Sequence, residues 1–104
     1  MPAREVDHAQ FDREIEKGGH DKAQKMKQAV KSPQFKKAVD ELVDNPGSHD
    51  EAQRDPEGFL RKHGVPLPAG ASVHFVPNNT RIGVCLNSFC CGYDWLSGWT
   101  CWSR

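Results

Sequence analysis

A chain of 104 residues, 37% apolar and 27% charged, allows one small domain with little core to offset its conformational entropy. Its formal net charge is zero, with no basic stripe or tail, which argues against a nucleic-acid or anionic-membrane partner. The opening residues Met1 to His8 contain no apolar run. Neither a Sec-type signal peptide nor a transmembrane helix is therefore expected, and the cytoplasm is the expected first residence.

Glu5 to Lys17 suits a helix with scattered apolar positions at Val6, Ala9, Phe11 and Ile15. Gly18-Gly19 breaks it and is read as a linker. Asp21 to Lys31 is expected as a second helix, capped by Asp21, with Met26, Ala29 and Val30 at helical spacing and its lysines on a solvated face. Ser32-Pro33 opens a third helix with a cap and a first-turn proline. Phe35, Val39, Leu42 and Val43 then recur at i, i+4, i+7 and i+8, the clearest amphipathic stripe in the chain. It ends at Asn45-Pro46-Gly47, and a polar connection runs to Arg54.

Asp55 is an N-cap residue, Pro56 suits the first helical position, and Glu57 places charge of the favourable sign in the first turn. Phe59 and Leu60 are the apolar content of this two-turn helix, and Gly64 can take its left-handed stop. Val65-Pro66-Leu67-Pro68 must be extended, and Ala69-Gly70 is a turn. Ser72 to Val76 places Val73 and Phe75 on one face of a short strand. The five histidines show no ligand spacing and are read as structural or exposed.

Composition then changes abruptly. All four cysteines, all three tryptophans and the single tyrosine lie after residue 84, whereas Asp94 and Arg104 are the only charged residues there.

The residues Ser32-Pro-Gln-Phe-Lys-Lys and Asp55 to Asn79 resemble the nitrile hydratase-like leader peptides of the proteusin class. Asp55-Pro56, Leu60, Gly64, Val65, Leu67-Pro68, Gly70, Val73, Phe75 and Asn78 carry the resemblance, which covers about residues 30 to 79. It implies a precursor of a ribosomally made, post-translationally modified peptide. The expected fold is small and mainly α with a short β-strand: a helical leader domain followed by a flexible, Cys/Trp-rich C-terminal core peptide. Its expected segments are a polar helical extension (1–31), the leader (32–79) and a core peptide (80–104) that is largely disordered before modification. Phe35, Val39, Leu42, Phe59, Leu60, Val65, Leu67, Val73 and Phe75 are the expected recognition residues of the leader. A folded handle of this kind would raise the concentration of the tail at a maturation enzyme.

In the tail, Cys85, Cys90, Cys91 and Cys101 are nucleophiles for thioether rings with dehydrated Ser88, Ser97 and Thr100. Short loops favour Ser88 with Cys91, Ser97 with Cys101, and Thr80 with Cys85. Trp95, Trp99 and Trp102 are candidates for indole modification, and two disulfides are the competing outcome for the cysteines. Cleavage is expected between Pro77 and Gly83.

The expected partners are maturation enzymes (lanthionine synthetase-like and Trp-tailoring) and a leader peptidase or transporter. The precursor would be a cytoplasmic monomer and the mature core would be exported. No catalytic residue, metal or cofactor is expected. The related hydratase holds its metal in a Cys-x-x-Cys-Ser-Cys claw that is absent here, and adjacent Cys90-Cys91 lack structural zinc spacing. Two alternatives stand beside the precursor: a small Cys-rich metal-binding protein related to the hydratase alpha subunit, and a secreted, disulfide-stapled effector.

Overall fold

The computed structural model describes residues 4–104, in which five helices precede a four-stranded antiparallel sheet. Helix α1 (His8–Glu16) starts where the Asp7 carboxylate accepts the Gln10 N–H. Helix α2 (His20–Val30) follows, but its N-cap is Gly19 at φ +93°, with no side-chain cap. The expected cap, Asp21, lies inside the first turn, where its charge still suits the helix dipole.

Helix α3 (Pro33–Asp44) is capped by Ser32, whose hydroxyl accepts the Phe35 N–H. A 3₁₀ turn (Pro46–Ser48) leads into α4 (His49–Arg54), so the polar connection is largely helical. Helix α5 (Pro56–Lys62) is capped by Asp55 through the Gly58 N–H, and Gly64 takes φ +82° beyond its end.

The strands are β1 (Ser72–Val76), β2 (Arg81–Leu86), β3 (Phe89–Asp94) and β4 (Gly98–Ser103), hydrogen-bonded in that order. β2 and β3 join through the two-residue turn Asn87-Ser88, with Asn87 at φ +58°. The helices cover one face of the sheet. Val73, Ile82, Val84, Leu86, Cys91, Tyr93 and Trp99 meet the helical residues there in one core. Trp99 is central: its ring lies 5.7 Å from Phe11, 6.0 Å from Phe35 and 5.2 Å from Tyr93, and its Nε1 donates to the Arg4 carbonyl.

This corrects the expected fold class. The last 25 residues are not a flexible tail on a mainly helical leader. They form β2, β3 and β4, and with β1 make the molecule a helical layer packed on an antiparallel sheet. The reason is the alternation of Ile82, Val84 and Leu86, continued across the ladder by Phe89, Cys91 and Tyr93. That face is apolar enough to need a cover, and the helices supply it. Phe11 and Ile15 of α1 are fully buried in the same core, each worth about 1.5–3 kcal/mol if fully exposed in the unfolded chain. Gly18 is more than a linker, because a Cβ there would sit 2.3 Å from the Phe89 ring.

Candidate functional site: the cystine-bearing sheet

Because side chains alternate across a strand, neighbouring Cys90 and Cys91 point to opposite faces. The register then gives each a different partner. Cys85 lies opposite Cys90 and joins it, while Cys91 lies opposite Cys101 and joins it. Cys91–Cys101 faces the helices and belongs to the core. Cys85–Cys90 is on the other face, outside the core cluster, yet both its residues are fully buried. No thiol is left free.

The β3–β4 turn is held by Asp94, whose side chain is only 2% exposed. Its Oδ1 accepts the N–H groups of Leu96 at 2.7 Å and Ser97 at 3.0 Å, and its Oδ2 accepts Arg81 Nε at 2.6 Å. Burial alone would raise this carboxyl's pKa. The Arg81 bond and the two backbone N–H groups outweigh burial and hold it below the ordinary carboxylate value. Leu96 stands out at the tip, 70% exposed.

The expected recognition residues lie mainly inside. Phe35, Val39, Leu42, Phe59, Leu60, Val65 and Val73 are buried, and Leu67 and Phe75 are half-buried against the same core. They hold the fold and present little surface. Of the expected modification positions, Ser88 and Ser97 are exposed in the two hairpin turns, while Thr100, Trp95 and Trp102 are half-buried. Trp99 is 9% exposed, and Cys85, Cys90, Cys91 and Cys101 pair with one another. Thr80, a further expected donor, is 9% exposed at φ +45°.

Sequence reasoning gave no role to Arg81, His74 or Arg104. They meet only through strand register, for which a single chain carries no local signal. Among the described residues no group of three or more His, Cys, Asp or Glu is placed to hold a metal ion, and no helix is long and apolar enough to cross a membrane. The chain matches no protein-family model, and no curated protein or solved structure is significantly similar to it.

Proposed function

We propose that the chain is a peptide precursor, in which the part up to about residue 79 is a folded carrier and the segment 80–104 is the part that is matured. The observation that carries this reading is that both cross-links close within the segment itself. Cys85–Cys90 and Cys91–Cys101 join β2 to β3 and β3 to β4, and no disulfide reaches the helices. A cut in the connection Pro77–Thr80 would therefore leave every covalent staple in the C-terminal piece. The resemblance to nitrile hydratase-like leaders falls on the other side of that cut.

The carrier's work would be done before cleavage. Four cysteines allow three pairings. By supplying β1 and a helical cover, the carrier fixes the register that selects one of them. Maturation enzymes of the lanthionine-forming class would reach Ser88 and Ser97 at the turn tips first, and would need the thiols reduced. A Trp-tailoring enzyme would reach Trp95 and Trp102 before Trp99.

A second reading, an oxidised protein that acts whole, is favoured by one observation: Trp99 and Tyr93 share their core with Phe11 and Phe35 of the helical half. Intact-mass spectrometry of the product made beside its genomic neighbours separates the two. The precursor reading expects a peptide beginning between Pro77 and Gly83. Loss of four hydrogens would mark two cystines, and losses of water would mark dehydrated Ser or Thr, the electrophiles of thioether rings. The full-length chain as the sole product, with two disulfides, would overturn it.

A further inference from the structure

The face of the sheet turned away from the helices carries an aromatic platform. Gly83 and Gly92 face each other in the middle of β2 and β3, where glycine is otherwise a poor choice. Trp102 fills the space that Gly83 leaves, since a Cβ there would sit 2.5 Å from its Cζ2. The Arg81 guanidinium lies over the indole, 4.6 Å from the ring centroid. Beside this pair is a cavity of about 360 Å³, lined by His74, Val76, Arg81, Trp102, Ser103 and Arg104.

The side-chain charges around it do not cancel. Arg81 is matched by Asp94. Among the described residues no ion pair involves Arg104. Its Nη1 donates instead to His74 Nε2 at 2.8 Å, which requires that imidazole to be neutral, and its backbone N–H is anchored on the Ser88 carbonyl. Burial, and then Arg104, push His74 below the ordinary histidine value. In side-chain charge at neutral pH, neutral His74 from β1, Arg81 from β2 with Asp94 of β3 buried behind it as its partner, and Arg104 beyond β4 therefore leave one positive charge at the cavity, carried by Arg104.

We propose that this cavity binds a small organic carboxylate with a flat apolar body. Arg104 takes the carboxylate as a two-pronged donor, and Trp102 and Val76 take the body. His74 and Val76 lie before the connection Pro77–Thr80, and Arg81, Trp102 and Arg104 lie after it, so the inference concerns the uncut full chain and does not rest on the precursor reading.

The test is titration of the oxidised full-length protein with benzoate, its neutral isostere benzamide, and acetate, following the Trp102 indole N–H and the His74 ring protons by NMR. Benzoate should saturate with a dissociation constant on the order of 10 mM. Benzamide and acetate should each bind about tenfold more weakly, one lacking the charge and the other the body. Arg104→Gln, an exposed position, should weaken benzoate about tenfold and leave benzamide unchanged, and Arg104→Lys should recover part of the loss. Equal binding of benzoate and benzamide, an unchanged affinity in Arg104→Gln, or no saturable shift at either residue would overturn the assignment.

Discussion

Asp94 shows how much one side chain can hold. It is buried, ties the β3–β4 turn through two backbone N–H groups, and anchors the guanidinium that lies on Trp102. Replacing it with alanine removes three charge-assisted bonds at once and should destabilise the fold by about 2–4 kcal/mol in urea unfolding. Asp94→Asn keeps an acceptor for the turn and should lose less. The sign of the pH dependence follows from the depressed pKa. The contribution is complete above the ordinary value of 3.8 and is lost as pH falls through the lower folded value. The urea midpoint of the wild type should therefore fall in that acid range more steeply than that of Asp94→Asn. The two central glycines should differ in kind. A Cβ on Gly92 would lie 2.0 Å from the Ile82 carbonyl oxygen, a backbone atom that cannot move without breaking the ladder. Gly92→Ala should prevent native folding or cost more than about 3 kcal/mol. Gly83→Ala meets only the rim of the Trp102 ring and should be milder, with the difference relieved in the Trp102→Ala background.

The starts of α3 and α5 were legible in the sequence because they are local, whereas α2 is capped at Gly19 and not at the expected Asp21. Ser32 with Pro33, and Asp55 with Pro56, set their helices as read, and Gly64 stops the second of them at positive φ. The strand Ser72–Val76 was legible for the same reason. The strands after it were not. β2 and β3 owe their place to register, and their apolar faces are interrupted by Gly83, Gly92 and cysteines that read as reactive rather than as packing. Asn87 at positive φ is the one local signal that marks this hairpin, and it has serine after it rather than glycine. The cystines staple this non-local pairing. With sequence separations of 5 and 10, chain entropy assigns about 2 kcal/mol to Cys85–Cys90 and about 3 kcal/mol to Cys91–Cys101. Replacing Cys91 and Cys101 with alanine should lower the melting temperature more than replacing Cys85 and Cys90, as read by circular dichroism.

At the scale of the molecule, the compositional step after residue 84 is real, yet it does not divide the core. Trp99 packs on Phe11 and Phe35, which lie far from it in the chain. Leu60→Asp, at a fully buried position, should therefore unfold the sheet as well as the helices, so any loss of tail processing in that variant would report folding and not docking. The candidate site was legible only as a list of residue types. Which cysteines pair, which indole is buried and which arginine lacks an acid partner all depend on the sheet. The central claim is that residues 81–103 fold with the helices into one core. Amide hydrogen exchange of the oxidised full chain tests it most directly. The claim predicts that β2 and β3 amides such as Val84, Cys91 and Tyr93 are protected as strongly as those of Phe35 and Leu60, and open with them at the global unfolding free energy. Complete exchange of the segment after residue 80 while the helical amides stay protected would contradict it.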